Sequence, residues 1–208
     1  MSGRTFFEAK ARERVGEAVR AIELETSAEV VVALRPASGH YRHTDYLVGA
    51  IVALALLCVF LYHPEPFAYD FLPLELAAAF GLGALGSAYF GPLRRALTSR
   101  ALRAASVRRA AREAFVDLGV SRTRARTGVL VYVSMFERRV EVVPDVGVDA
   151  GALEAAARQA QAALEGGPGR GPSFERFVAA LRRFGPARAA ALPREDDDVN
   201  ELGDEVRS

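Results

Sequence analysis

Tyr46-Leu-Val-Gly-Ala-Ile-Val-Ala-Leu-Ala-Leu-Leu-Cys-Val-Phe-Leu-Tyr62 is seventeen residues without a charge, and Leu76-Ala-Ala-Ala-Phe-Gly-Leu-Gly-Ala-Leu-Gly-Ser-Ala-Tyr-Phe-Gly-Pro-Leu93 is eighteen more. Only His63–Glu75 separates them, a short stretch with Pro64 and Pro66 and the acids Glu65 and Asp70. Seventeen or eighteen helical residues rise about 26 Å, close to the roughly 30 Å hydrocarbon core of a bilayer. The two runs therefore predict a tight transmembrane hairpin over residues 44–93. Gly49 and Ala53, Ala79 and Gly83, and Gly83 and Ser87 are each four apart, a spacing of small residues that lets two helices approach closely. Glu75 reads as an interfacial carboxylate reaching the headgroups.

Charge outside the hairpin sets an expected orientation. Arg35 and Arg42 precede the first run, and ten arginines fall between Leu93 and Arg126 against two acids, Glu113 and Asp117. Short segments rich in Arg stay cytoplasmic. Both termini are then expected in the cytoplasm of a bacterial cell, with the Pro64–Glu65–Pro66 loop outside and the chain multi-pass in the inner membrane. The lipid bilayer is the first expected partner, and the arginines suit anionic headgroups. Nucleic acid is not expected, because few aromatics are interleaved with the arginines. The single cysteine, Cys58, lies in the first run and excludes a disulfide framework. That run starts too far along the chain for a secretory signal peptide.

The remaining residues of the 208 suffice for one α/β core. Phe7, Ala11, Val15, Ala18, Val19 and Ile22 repeat at the helical period, ended by Thr26–Ser27. Ala28–Leu34 predicts a buried strand. Leu97–Leu118 predicts one helix ended by Gly119. Thr127–Met135 is the clearest strand, and Arg139–Val143 the next, joined by a turn at Phe136–Arg138. Asp149 and Ser173 are expected N-caps of two further helices. Gly166–Ser173 predicts a linker: it lacks the Gly-Lys-Ser/Thr of a phosphate loop and follows a helix. The last fourteen residues carry seven acids and one arginine. Pairing of the first two strands would rebuild one core across the hairpin. The expected divisions are 1–43 and 94–190 as two parts of that core, 44–93 as the insertion, and 191–208 as an acidic tail.

Thr26-Ser-Ala-Glu-Val-Val-Val32, Thr123-Arg-Ala-Arg-Thr-Gly-Val-Leu-Val-Tyr-Val-Ser134, Glu137-Arg-Arg-Val-Glu-Val-Val143 and Asp145-Val-Gly-Val-Asp149 together resemble the TPM domain family. That family is named for thylakoid-lumen, photosystem II-associated and acetylcholine-receptor-modulating members. The closing Asp197-Asp-Val-Asn-Glu-Leu-Gly-Asp-Glu-Val-Arg207 resembles the tail of bacterial members with an inserted transmembrane pair. The resemblance implies an α/β/α sandwich and a phosphatase label. The chain departs from it at one point: many relatives carry an Asp–Asp pair in the strand-joining turn, where this chain has Phe136 and Glu137.

Phosphoryl transfer needs an activated nucleophile and neutralised phosphoryl oxygens. His40, His43 and His63 flank the first apolar run, and Cys58 lies within it, which leaves carboxylates. Glu137, Asp145 and Asp149 are the candidate metal ligands, with Ca²⁺ or Mg²⁺ the ion such oxygen donors suit, weakly held. A bland role is the simpler expectation for each: a solvated turn for Glu137, a turn former for Asp145 and a cap for Asp149. The function expected is a membrane-anchored, cytoplasm-facing regulatory or interaction module with an unidentified protein partner. A divalent-metal-dependent acid phosphatase is the alternative.

Overall fold

The computed structural model describes residues 6–25, 29–64, 69–166 and 171–185. The chain runs through helix α1 (Ala9–Glu25), strand β1 (Val30–Arg35), helices α2 (Arg42–Tyr62), α3 (Leu72–Tyr89), α4 (Gly91–Leu97) and α5 (Arg100–Asp117). Strands β2 (Val129–Ser134) and β3 (Arg139–Pro144) follow, then α6 (Ala150–Glu165) and α7 (Phe174–Arg182). These elements form two compact units: Met1–Ser38 with Ala104–Ser208, and Gly39–Arg103. The Thr26–Ser27 helix end, the Glu65–Pro66 part of the loop, the Gly167–Arg170 part of the linker and the acidic tail lie outside the described residues.

The first unit is a mixed α/β structure built on one small sheet of order β1-β2-β3. β1 runs parallel to β2 with Val32 opposite Val131, and β3 returns antiparallel with Val142 opposite the same Val131. Alternate residues of a strand face opposite sides. Val30, Val32 and Leu34 pack with Val129, Val131 and Val133 into a core closed by α1, α6 and α7. Val31, Ala33, Leu130 and Tyr132 face the other way onto Val107, Ala111 and Ala114 of α5, and onto Val120. All six residues of β2 are buried, which is why it reads as a continuous apolar run rather than an alternating one. Gly128 leads into it under Val120: a Cβ there would sit 2.2 Å from the Val120 carbonyl oxygen.

Two details differ from the sequence reading. Phe6, rather than Phe7, is the aromatic fully inside, because both lie in a 3₁₀ turn before α1 and not on its helical face. Its ring meets Phe174 edge-on at 5.2 Å. The helix expected over Leu97–Leu118 forms as α5 but starts three residues later, at Arg100, and a separate short helix, α4, precedes it. Thr98 is extended, its hydroxyl donates to the Arg94 carbonyl at 2.7 Å, and the Ser99 hydroxyl accepts the Leu102 amide at 3.1 Å. Such side chains offer the backbone an alternative to the next helical bond and favour a fresh start. The caps at Asp149 and Ser173 form: Asp149 accepts from the Gly151 amide and Ser173 from the Arg176 amide.

The second unit is a helical hairpin of α2 and α3, with α4 at its base. Gly49 and Gly83 mark the close approach, since a Cβ on Gly83 would lie 3.0 Å from the Gly49 Cα and one on Gly49 would lie 2.6 Å from the Phe80 carbonyl oxygen. Polar groups gather at the base. The Asp45 carboxylate is buried, takes a hydrogen bond from the Ser87 hydroxyl at 3.0 Å and pairs with Arg94 at 2.9 Å. Thr44 and Thr98 hydroxyls meet at 3.1 Å, and the Arg94 guanidinium stands over the Tyr41 ring. These contacts draw residues on both sides of 44–93 into this unit. Both long helices are apolar and long enough to cross a membrane, yet only 22% of the apolar window of α2 and 6% of that of α3 is buried.

Candidate functional site

β1 and β2 end side by side, and the chain leaving each end is tied to the other. The Met135 amide donates to the Arg35 carbonyl and the Phe136 amide to the Pro36 carbonyl. This carries the parallel pairing past the strands and brings Ser38 against the β2–β3 turn. Glu137 sits in that turn, buried, ahead of Arg138, which adopts a left-handed conformation (φ 50°). One carboxylate oxygen of Glu137 accepts the Ser38 amide at 2.9 Å and the other accepts the Ser134 hydroxyl. The Ser38 hydroxyl donates to the Ser134 oxygen at 2.7 Å. Its proton being used there, the Tyr132 hydroxyl at 3.1 Å is the donor to Ser38.

The result is a directed chain from Tyr132 through Ser38 and Ser134 to Glu137. It lies at the carboxyl ends of two parallel strands, where open α/β sheets place ligands. Burial raises the Tyr132 phenol above its ordinary range and keeps it a donor. Ser38, half-buried, is the least enclosed of its two hydroxyl-bearing serines, while Ser134 is sealed. The arrangement fixes a buried carboxylate with hydrogen bonds from both segments. Sequence reasoning reached Glu137 through the turn but missed Ser38, which is ninety-nine residues away.

The other two candidate ligands are elsewhere. Glu137 and Asp145 lie beyond opposite ends of β3, whose first and last residues, Arg139 and Pro144, are themselves five strand steps, about 17 Å, apart. Asp145, its side chain 2% exposed, receives both the Nε and a terminal nitrogen of Arg126, at 2.8 and 3.0 Å, and the Val146 amide at 2.7 Å. Arg126 reaches it from a left-handed backbone (φ 55°), and the Gly147 amide closes the same turn onto the Arg126 carbonyl. Asp149 is the exposed cap of α6. The structure thus does not bring Glu137, Asp145 and Asp149 to one place. Among the described residues no group of three or more His, Cys, Asp or Glu side chains could hold a metal ion.

A further ion pair joins α1 to the first turn of α7: Arg14 holds both oxygens of Glu175, at 2.5 and 2.6 Å, and its guanidinium lies over the Phe174 ring. The hydrogen bonds from Arg14 hold the Glu175 carboxyl below its usual range, and those to Glu175 raise Arg14. A carboxyl depressed on folding adds stability above its unfolded pKa and loses it as pH falls through the folded one. Wild type should therefore be more stable than Glu175→Gln at neutral pH. The gap between their urea midpoints should close as the pH drops below about 4.3, the ordinary glutamate value.

Fold and site together define a class: a mixed α/β unit with a short parallel pair, into which an apolar two-helix hairpin is inserted. No family model matches the chain, and no curated protein matches it. Among solved structures, the chain is similar to the NMR structure of the BA42 protein from the psychrophilic bacterium Bizionia argentinensis. The identity is 17% over 96% of this chain and 93% of that one, with a TM-score of 0.57. This is a likeness of fold.

Proposed function

We propose that this chain is a membrane-anchored TPM-like module. Its α/β unit, an α/β/α sandwich, faces the cytoplasm of a bacterial inner membrane and works by binding a protein partner. The observation that carries the reading is the hairpin: two helices of spanning length with most of their apolar surface uncovered. Leu82, for instance, is 72% exposed. Exposed apolar surface on this scale calls for lipid or protein around it. Packing through Gly49 and Gly83 suits helices that associate in lipid, where small residues replace the hydrophobic driving force. The Asp45–Arg94 pair at the base, with Arg95 beside it, suits the headgroup boundary.

Interaction rather than catalysis is favoured by how the carboxylates are spent. Both oxygens of Asp145 serve Arg126, and both of Glu137 serve Ser38 and Ser134. A divalent-metal phosphatase would need at least one of these released. The test is hydrolysis of an aryl phosphate by purified protein with Mg²⁺ or Ca²⁺, with and without EDTA. Background turnover is expected in wild type and Asp145→Asn alike. The Asn variant should lose about 1–3 kcal/mol of stability, because the charge on one side of a bidentate pair is gone. Robust EDTA-sensitive turnover that Asp145→Asn abolishes would make the protein an enzyme. Crosslinking in native membranes followed by pull-down should capture a specific protein. Recovery of lipid alone, with no protein repeatedly enriched, would count against the interaction reading.

A further inference from the structure

On the outer side of α6 and α7 lies a shallow groove of about 240 Å³ lined by Gln159, Ala162, Arg176, Ala179, Ala180 and Arg183. Its floor is alanine and its charges are two guanidinium groups on one helix face, seven residues or about 10 Å apart. Neither guanidinium has a partner among the described residues, in contrast to Arg14, Arg94, Arg126 and Arg158, each of which holds a carboxylate. Arg182, one residue from Arg183, is not among the groove residues.

We propose that this groove is the docking site of the chain's own acidic segment, Glu195–Glu205, whose carboxylates pair with Arg176 and Arg183. Charge complementarity is the first ground: Glu195, Asp196, Asp197, Asp198, Glu201, Asp204 and Glu205 form the densest run of acids in the sequence, uninterrupted by a basic residue. Reach is the second. Arg183 stands twelve residues before Glu195. The ten residues from Pro186 to Glu195 can span up to roughly 33 Å, ample to turn back along α7. Three residues of extended chain cover about 10 Å, so Asp198 and Glu201 match the spacing of the two arginines. Tethering raises the local concentration of the segment to the millimolar range, so individually weak exposed pairs suffice. The groove lies wholly within the α/β unit, and the inference does not rest on membrane anchoring.

The sequence has one lysine, Lys10, so a lysine placed in the groove can be located by zero-length carbodiimide coupling to nearby carboxylates. Arg183→Lys and Arg176→Lys retain the charge in the full chain, and Arg182→Lys is the control. Coupling between positions 195–205 and the groove variants should exceed that of the control at least about fivefold. It should stay in the monomer on dilution and weaken at 0.5 M salt, as screened surface pairs do. Equal coupling at 182 and 183, or none, overturns the proposal. So does coupling found mainly in dimers whose yield rises with protein concentration, since the occupant would then be a second copy. Unchanged circular dichroism confirms that each variant is folded, and a variant that misfolds is replaced by Gln159→Lys at the same groove.

Discussion

Val131→Asp should abolish folding of the α/β unit. Val131 is fully buried, with Val32 opposite it on one neighbouring strand and Val142 on the other. It belongs to the apolar core cluster with Val30, Val32, Leu34, Val129 and Val133. An unpaired carboxylate there costs several kcal/mol even after it takes up a proton, comparable with the roughly 5–15 kcal/mol that hold a domain together. The expected result is loss of the cooperative thermal transition and of dispersed amide resonances. Val146→Asp is the matched control. Val146 is 83% exposed, so the change should stay within about 0.5 kcal/mol. A cooperatively folded Val131→Asp protein would mean that the strand register described above is wrong.

On the anchoring proposed above, replacing residues 39–103 with a flexible linker should release the α/β unit from the membrane as a soluble, cooperatively folding protein. Its two cores draw their residues from 6–34 and 107–184 and none from the hairpin. β1 and β2 pair directly across the insertion, so the linker need only close a loop. The entropic cost of closure grows slowly with length, about 0.6 kcal/mol per doubling. The change in partition should be nearly complete, because the deleted segment carries almost all of the large exposed apolar side chains among the described residues. Detergent-dependent solubility of the linker protein would show that the hairpin completes the α/β unit rather than interrupting it.

How much of this was legible depended on the range of the interaction. β2 was legible because burial on both faces leaves no polar positions in it. The caps Asp149 and Ser173 were legible because a cap acts within three residues. The pairing of the first two strands followed from their matching apolar character and the need for one core. The later start of α5, at Arg100 rather than Leu97, was hidden by helix formers on either side of Thr98–Ser99. Thr98 is also held by Thr44, fifty-four residues earlier. The clasp of Asp45 with Ser87 and Arg94 was hidden for the same reason, since its members are counted as flanking residues until the hairpin closes. At the candidate site, carboxylates could be named one by one. Which of them meet was not legible, because strand register alone decides that Glu137 finds Ser38 while Asp145, beyond the other end of β3, finds Arg126.

The central claim is a hairpin that enters and leaves the bilayer on the same face. Reporter fusions at Ala68 and Ser208, one active only in the cytoplasm and one only outside it, test that claim in living cells. The account predicts that the fusion at Ser208 reports the cytoplasm, that the fusion at Ala68 reports the outside, and that both stay in the membrane pellet after alkaline carbonate. Matching signals at the two positions, or release of the full chain by carbonate, would contradict it.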